Sequence, residues 1–388
     1  MKFPKLQCFK KFLLRSVYCN VYVFLLSIGI SFVFYTALFK NVFLFEEAYF
    51  ANRTVGPRIA RHEPRNKLIL LYTPYFGRRW VNDPTLGPVR LTFEEGHATF
   101  KDCEISTCEV TYNRSKLSEA DAVGFHHRDM PRRLPFRRTP QQVWFYFVLE
   151  NPLNVVMNAD GYAGVFNWTM SYRRDSEIYT PYGKFTPLKE GSTEYFTGHE
   201  LAGKDKQVAW LASNCQANKR MEYVMELEEY INISIYGLCG DRKACPLKRR
   251  SPGCNSLLRR HKFYLAFENG NCEDYITEKY WENAIDNDAV PIVMGGADYK
   301  ALAIPNSYID VKDFASPKHL ADYLLYLDAN DTAYKEYFSW KKLYQRVAPN
   351  RACTLCKQLH NNSLLTSPRV YKNMARFWNR KQCKRLIL

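Results

Sequence analysis

The sequence predicts an α/β protein with parallel sheets, preceded by one apolar segment long enough to cross a membrane. Three features indicate this: an uncharged apolar stretch near the start, a series of short apolar runs from residue 67 onwards, and amphipathic stretches between several of those runs. Short continuous apolar runs are typical of strands buried on both faces, and strands that alternate with helices indicate parallel sheets. At 388 residues the chain is long enough for two domains.

The apolar stretch at residues 17–39 is predicted to be a membrane anchor. It contains no charged residue, and the basic residues Lys10, Lys11 and Arg15 precede it. A bilayer core needs about 20 apolar residues, whereas a cleaved signal peptide, which is the alternative, has an apolar region of about 7–15 residues. The basic excess before the stretch predicts a type II orientation, with a cytoplasmic tail at 1–15, an anchor at 16–39, a stem at 40–65 and a lumenal remainder.

Two further features agree with a lumenal location. Six Asn-x-Ser/Thr glycosylation acceptors all lie beyond the anchor, and they begin at Asn52, Asn113, Asn167, Asn232, Asn330 and Asn361. Of the twelve cysteines, all except Cys8 and Cys19 also lie beyond it, which leaves an even ten. Cys353-x-x-Cys356 has the spacing of zinc and redox motifs, but an oxidising lumen favours disulfides. The disulfide candidates are Cys103, Cys108, Cys239, Cys254, Cys353 and Cys356.

From residue 67 the chain is predicted to form two sheets that meet between residues 182 and 207 and enclose a cleft. The predicted buried strands are residues 68–72, 122–125, 143–149, 208–211, 233–236, 263–267 and 289–294. Ser316 and Pro317 supply an N-cap and a first-turn proline for a helix at 319–327. We expect domains at 66–190 and 191–350, and a C-terminal segment at 351–388 tied back by disulfides.

Polar residues are concentrated where two of the predicted strands end. Glu150-Asn151-Pro152 follows one strand and Glu268-Asn269-Gly270-Asn271 follows another. Ligands of open α/β sheets lie beyond such carboxyl ends. A helix predicted to begin near Asp274 would place Tyr275, Glu278 and Lys279 on one face. A helix N-terminus with a nearby lysine suits a diphosphate, and Glu278 suits paired ribose hydroxyls; a helix-surface ion pair is the alternative.

The stretch Phe267-Glu-Asn-x-x-Cys-x-Asp-Tyr-Ile-Thr-Glu-Lys279 resembles the donor-binding signature of the α1,3-fucosyltransferase family. The residues at 289–295, the Ser316-Pro-x-x-Leu320 pattern, His126-His-Arg-Asp129, and the segments at 167–176 and 181–183 are similar to other motifs of that family. The resemblance runs from about residue 67 to Cys356 and rests on a long, specific motif.

The resemblance implies a GT-B arrangement of two Rossmann-like domains, the first on the acceptor side and the second binding GDP-fucose. It also implies transfer of L-fucose from GDP-β-L-fucose to O3 of a GlcNAc residue in glycoprotein glycans, with inversion, in the Golgi. The alternatives are a non-catalytic glycan-binding protein on the same scaffold and a transferase that uses another nucleotide sugar.

The resemblance also assigns roles to residues. Inversion needs a base for the acceptor hydroxyl, and Glu150 stands at the family's Glu-x-Pro position, where Glu-Ser-Pro is usual. The alternative for Glu150 is a carboxylate in a solvated turn. Cations must meet the charge of the departing GDP, and Lys279 and Arg220 are the candidates. The other predicted donor contacts are Tyr172, Arg173, Glu268, Asn269, Tyr275 and Glu278. An ion network of Arg173, Arg174 and Asp175 is the alternative for that segment.

We expect no tightly bound cofactor and no required metal, although Mn²⁺ or Mg²⁺ could stimulate the enzyme. Asp286-Asn-Asp288 resembles the metal-binding Asp-x-Asp of other glycosyltransferases, but the family has a helix-to-strand loop at that place. His126-His127 has no evident third ligand and is interpreted as structural or acceptor-side.

The expected partners are GDP-fucose, a GlcNAc-containing glycan and the Golgi membrane, and a homodimer is left open. The net charge of +16 comes without any recognisable nucleic-acid module, so we expect no nucleic-acid partner.

Two departures from the family pattern are Gly270, where serine is common, and Met294-Gly-Gly296. The cysteine-rich insert from Cys239 to Cys254 is similar to invertebrate and plant members that act on the N-glycan core, whereas lactosamine is the alternative acceptor.

Overall fold

The computed structural model describes residues 66–81, 91, 93–134, 138–155, 162–188, 201–241, 245, 252–366 and 370–384. They fall within one compact unit, Asn66–Leu388. The predicted tail, anchor and stem at 1–65, and with them Asn52, lie outside the described residues. Across the described ranges, no helix combines the length and apolar character that a membrane span requires.

The first sheet has six parallel strands in the order β2-β1-β3-β4-β5-β6. They are β1 Lys67–Leu71, β2 Cys108–Thr111, β3 Ala122–His126, β4 Val143–Val148, β5 Trp168–Ser171 and β6 Ile178–Tyr179. Every residue of β3, β4 and β5 is buried, which explains the continuous apolar runs of β3 and β4, whereas β5 also buries Thr169 and Ser171. Gly124 of β3 pairs with Phe145 of β4, and a Cβ at position 124 would lie 2.5 Å from the Phe145 ring.

The second sheet has five parallel strands in the order β13-β12-β10-β8-β9. The strands are β8 Lys206–Leu211, β9 Ile233–Tyr236, β10 His261–Phe267, β12 Val290–Met294 and β13 Ile309–Asp310. Side chains of the central strand β10 alternate between two apolar clusters: Phe263, Leu265 and Phe267 face one, and Tyr264 and Ala266 face the other. Helices cover both faces, so the sheet is the centre of a three-layer sandwich.

The helices have the following bounds. They are α1 Arg220–Glu228, α2 Pro252–Arg259, α3 Tyr299–Leu302, α4 Pro317–Ala329, α5 Asp331–Glu336, α6 Arg351–Leu359, α7 Asn362–Thr366 and α8 Met374–Phe377. The predicted cap of α4 is confirmed, because the Ser316 side chain accepts a hydrogen bond from the N–H of His319. Asn330 caps α5, because its side chain accepts a hydrogen bond from the N–H of Ala333. The parallel sheets and their flanking helices confirm the predicted α/β class, and the division into two GT-B domains stays a prediction.

Disulfides and two small antiparallel ladders fasten the later parts of the chain. The ladders pair β7 Lys184–Pro187 with β14 Tyr344–Val347, and β11 Asn271–Cys272 with β15 Cys383–Lys384. The disulfides are Cys103–Cys353, Cys108–Cys356, Cys215–Cys239, Cys245–Cys254 and Cys272–Cys383. All six candidate cysteines are therefore bonded, although Cys239 and Cys254 have different partners. The sequence interpretation missed Cys272–Cys383, which joins the loop after β10 to the C-terminal segment.

The glycosylation acceptors differ in accessibility. Asn113, Asn232 and Asn361 are exposed, and Asn330 is half-buried as the cap of α5. Asn167 is only 3% exposed, and its Oδ1 accepts hydrogen bonds from the Arg138 guanidinium and the N–H of Trp144. The prediction of a glycan at Asn167 is wrong for the folded chain, because the amide that would carry it is part of the first sheet's packing.

In a chain secreted from a eukaryotic host, we expect glycans at Asn113, Asn232 and Asn361 and an unmodified Asn167. Peptide mass spectrometry before and after N-glycosidase treatment measures the occupancy of each site. Substantial occupancy of Asn167 in correctly folded protein would contradict the buried position described above.

Candidate active site

A cavity of about 420 Å³ lies at the carboxyl ends of strands from both sheets. The first sheet contributes Leu149 and Glu150 after β4, and the second contributes the residues after β8 and β10. Six predicted site residues line this cavity together: Glu150, Arg220, Asn269, Tyr275, Glu278 and Lys279. The two polar strand ends predicted from the sequence therefore converge on one cavity. Carboxyl ends of parallel strands are where such sheets bind ligands.

The loop after β10 is fixed by the buried carboxylate of Glu268, which is 1% exposed. Its oxygens accept hydrogen bonds from the N–H of Thr277 at 2.8 Å, from the Thr277 hydroxyl at 2.9 Å and from Lys279 Nζ at 3.0 Å. Burial raises the pKa of Glu268, although the Lys279 charge opposes that rise. Glu268 therefore stands behind the cavity wall and holds Lys279 in place.

The prediction of a regular helix from Asp274 is wrong. Asp274 adopts a left-handed backbone with φ 58°, and its carboxylate accepts hydrogen bonds from the backbone N–H and Nε of Arg174, each at 3.0 Å. The helix begins only at Lys279, as a π-helix over Lys279–Ala284. π-Helical turns are frequent at functional sites. Tyr275 consequently precedes the helix and does not share a helix face with Lys279.

Lys279 and Arg220 supply the positive charge of the cavity. Burial works against the charge of Lys279, but Glu268 and Glu278 outweigh it and raise the pKa of this lysine. Glu278 lies 3.2 Å from Lys279 Nζ. The Arg220 guanidinium donates to the carbonyls of Phe267 and Asn214, both at 2.8 Å, and within the described part of the chain its Nε has no partner. Such a pair of buried cations suits an anionic ligand.

The two predicted donor residues that follow β5 do not line the cavity. Tyr172 is buried, with its ring 4.8 Å from that of Tyr275. Arg173 pairs with Asp175 and lies over the Phe377 ring at 4.7 Å. Together with the Arg174–Asp274 pair, these contacts match the alternative of an ion network, and they correct the expectation that Arg173 faces a donor in this cavity.

The adjacent histidines His126 and His127, at the end of a strand of the first sheet, have different environments. His126 is buried and its Nδ1 contacts Asp129 at 2.5 Å. Burial of Asp129 is outweighed by hydrogen bonds from His126 and from the N–H groups of Phe76 and Gly77, so the pKa of Asp129 is lowered. His127 lines the cavity, and burial lowers its pKa to about 3, so its ring is neutral at physiological pH.

The carboxylates of the Asp-x-Asp stretch contact basic side chains. Asp286 lies 3.4 Å from Arg346, and Asp288 lies 2.6 Å from Lys341. Neither aspartate lines the cavity. Elsewhere in the described ranges, Cys108, Cys356 and His360 have metal-like spacing, but the two cysteines are joined in a disulfide and offer no thiolate.

Several cavity residues were missed from the sequence. Tyr75, Phe76 and Tyr182 form aromatic walls, and Ser213 and Asn214 follow β8. Tyr182 lies in the Pro181-Tyr-Gly183 segment that the family resemblance had already picked out, and this was the available signal. Phe76 is 43% exposed and has a left-handed backbone with φ 50°, which no hydropathy pattern reveals.

Comparisons with known proteins show the family of this chain. The model described as "Fucosyltransferase, N-terminal" matches residues 64–183, and "Glycosyltransferase family 10 (fucosyltransferase) C-term" matches residues 201–377. Alpha-(1,3)-fucosyltransferase C of Drosophila melanogaster is 32% identical over 82% of this chain and 79% of its own length. The chain belongs to the α1,3-fucosyltransferase family.

Other members are similar over different lengths. Glycoprotein 3-alpha-L-fucosyltransferase A of Drosophila melanogaster is 39% identical over 71% of this chain, and the chain spans 55% of that relative's length. A solved α1,3-fucosyltransferase with GDP is a more remote neighbour, at 16% identity and a TM-score of 0.46 over 81% of this chain and 95% of that one.

Replacing Lys279 with alanine should destabilise this α1,3-fucosyltransferase family member by about 3–5 kcal/mol, because Glu268 would stay buried without its cation. Without Lys279 the pKa of Glu268 rises further. The loss should be small below the ordinary glutamate pKa of 4.5, where Glu268 is protonated, and should grow as pH rises through the raised pKa.

Urea unfolding of wild type and Lys279→Ala across pH measures this loss. Lys318→Ala is the matched control, since Lys318 makes an exposed pair with Asp322 and its removal should leave the unfolding midpoint unchanged. A loss that does not depend on pH would show that Glu268 does not carry the effect.

Proposed function

We propose that this chain transfers L-fucose from GDP-β-L-fucose to O3 of a GlcNAc residue in glycoprotein glycans, with inversion at the fucose carbon. The observation that carries the proposal is that one cavity holds the carboxylate of Glu150 from the first sheet and the cations Lys279 and Arg220 from the second. A base and a cationic diphosphate site are the two parts that such a displacement needs.

In the proposed step, the acceptor oxygen forms a bond to C1 of fucose while the bond from C1 to the β-phosphate oxygen breaks. The acceptor hydroxyl gives its proton to Glu150, and the departing oxygen keeps the bonding electron pair as GDP. A sugar hydroxyl is too weak an acid to attack as a free anion at neutral pH, so the carboxylate takes the proton in the transition state. Attack on the face opposite the leaving group inverts the configuration, as in inverting glycosidases.

Three cavity residues support GDP-fucose as the donor. Lys279 is held charged by Glu268 and Glu278, and this pre-set cation lowers the cost of charge that develops on the β-phosphate. Arg220 is buried with an unpartnered Nε among the described atoms. Glu278 lines the same cavity and offers carboxylate oxygens to ribose hydroxyls. Asn269 and Tyr275 line the same cavity and donate hydrogen bonds to Glu150.

Cavity residues from the first sheet's side are suited to bind a sugar acceptor. The exposed ring of Phe76 is held at the cavity by Asp129, which accepts from its N–H at 2.8 Å. An aromatic ring offers an apolar face to the C–H side of a sugar, while the neutral His127 offers polar contacts without charge. The insert between Cys239 and Cys254 and the likeness to a relative named as acting on glycoprotein support the N-glycan core GlcNAc as acceptor.

We also propose that the chain is anchored in the Golgi membrane with its enzymatic part in the lumen. The support is the uncharged stretch at 17–39, the basic residues before it, and acceptor asparagines that are exposed at positions 113, 232 and 361. Five disulfides in the described region require an oxidising compartment.

The deciding experiment is a transfer assay with the chain from Asn66 onwards, secreted from a eukaryotic host. We expect fucose transfer from GDP-fucose, none from GDP-mannose, and a preference for core GlcNAc acceptors over lactosamine on a glycan array. Linkage analysis should find fucose on O3. Glycan binding without donor turnover would support the non-catalytic alternative, and turnover of GDP-mannose would support a different transferase.

Glu150→Gln should lower the transfer rate by about 10²–10⁴-fold, because glutamine cannot accept the proton. The affinity for GDP-fucose should change little. Glu278→Gln is the contrasting variant, and it should raise KM for GDP-fucose more than it lowers kcat, since the ribose contact exists in both ground and transition states. Near-normal turnover by folded Glu150→Gln would move the base to another residue.

Chelation with EDTA should leave most of the activity, since side-chain cations neutralise the diphosphate. Stimulation by Mn²⁺ or Mg²⁺ through faster release of GDP is compatible with this expectation. Complete loss on chelation, restored by Mn²⁺ and abolished by Asp288→Asn, would instead support a metal site at Asp286 and Asp288.

A further inference from the structure

The two carboxylate oxygens of Glu150 have different surroundings. Oε1 accepts hydrogen bonds from the backbone N–H of Asn151 at 2.9 Å, from Asn151 Nδ2 at 2.8 Å and from the Tyr275 hydroxyl at 3.0 Å. Asn154 and Asn269 approach the same oxygen at 3.3 and 3.4 Å. From the residues that the structure describes, no hydrogen bond reaches Oε2. Oε1 is therefore saturated, and Oε2 keeps its lone pairs.

The donors to Oε1 come from both sheets. Asn151 follows β4 and is fully buried, and its Nδ2 also donates to Asn269 Oδ1 at 2.9 Å. Tyr275 lies beyond β10 and is buried, and burial together with the Glu150 charge raises the pKa of its hydroxyl well above its ordinary value. The hydroxyl thus stays protonated and can only donate to Glu150. We call Asn151, Asn269 and Tyr275 the clamp.

The space for the clamp depends on Gly270. A Cβ at this position would lie 2.9 Å from both Cγ and Oδ1 of Asn151. A side chain there would push the Asn151 amide away from Glu150 and Asn269. The clamp therefore requires the amide side chain of Asn151 and a glycine at position 270. These two positions follow strands of different sheets.

We propose that the clamp fixes Glu150 so that Oε2 alone accepts the proton of the acceptor hydroxyl, and that Tyr275 is a positioning residue for this base. The inference rests on the proposed function, in which Glu150 is the base. Three donors on one oxygen prevent the carboxylate from rotating, and a base held in the productive geometry avoids the cost of orienting it during reaction.

Tyr275→Phe tests the proposal, because it removes the hydroxyl and keeps the ring that packs on Tyr172. We expect kcat to fall about ten-fold, because a carboxylate that loses this donor is no longer held in one orientation. KM for GDP-fucose should stay within about two-fold, as for a residue that acts only on the base.

Tyr182→Phe is the matched control, because its hydroxyl lies in the same cavity but donates to the Leu149 carbonyl at 2.8 Å. In a double-mutant cycle with Glu150→Gln, followed by urea unfolding, its shift of the unfolding midpoint should add to that of Glu150→Gln.

Gly270→Ala should reproduce the Tyr275→Phe phenotype although it alters no group that contacts Glu150. Adding Asn151→Ser to Gly270→Ala removes the overlapping amide, so the double variant should recover part of the lost kcat, a non-additivity typical of residues in contact. A Gly270→Ala enzyme with wild-type kcat would overturn the proposal.

A double-mutant cycle of Glu150→Gln and Tyr275→Phe, followed by urea unfolding, keeps the test independent of activity. The shifts of the unfolding midpoint should be non-additive, and additive shifts would contradict the contact itself. If the wild type transfers no fucose, the proposed function fails while the cycle still reports on the clamp. If the wild type is active but Tyr275→Phe raises KM for GDP-fucose and leaves kcat unchanged, Tyr275 is a donor contact and the proposal fails alone.

Discussion

The buried Glu268–Lys279 ion pair is the interaction on which the rest of the site depends. Glu268 is almost fully buried and Lys279 lies 3.0 Å from it. Removing either charge would leave the other buried without a partner and would destabilise the fold. By binding Thr277 as well, Glu268 closes the chain between β10 and the π-helix into a fixed loop. That loop carries Asn269 and Tyr275 towards Glu150 and leaves Glu278 and Lys279 at the cavity.

The fold was predictable to the extent that burial determined the residue types. Seven continuous apolar runs marked strands, because a parallel strand covered on both faces has no polar side to alternate with. Four strands of the two parallel sheets were not predicted. β2 and β5 contain polar residues, in the sequences CEVT and WTMS, and β6 and β13 have only two residues each. The five disulfide pairings were likewise beyond the sequence, since the spacing of cysteines does not specify their partners.

The candidate site was predictable as a set of residue types and only partly as a geometry. Glu150, Arg220, Glu278 and Lys279 follow from motif and charge, and they meet in one cavity.

The helix predicted from periodicity does not begin at Asp274. A hydrogen bond from Arg174, which follows a strand of the first sheet, holds Asp274 in a left-handed backbone conformation that local propensity does not favour. Arg173 makes the local pair with Asp175 that was the alternative for this segment, and its contact with the distant Phe377 depends on tertiary packing. Asn151 and Gly270 each depart from the family pattern, and only the structure brings them into contact.

The Cys103–Cys353 and Cys108–Cys356 disulfides join residues that are 250 and 248 positions apart. Both anchor α6 to the first sheet and its flanking loop, whereas all six strands of that sheet precede residue 180. During biosynthesis the first sheet therefore emerges from the ribosome long before the helix that is cross-linked to it. Until Cys353 and Cys356 have been synthesised, Cys103 and Cys108 have no native partner, and five other cysteines appear in the interval: Cys215, Cys239, Cys245, Cys254 and Cys272. Protection of early thiols against premature oxidation is thus a requirement that this topology places on the folding machinery of the cell.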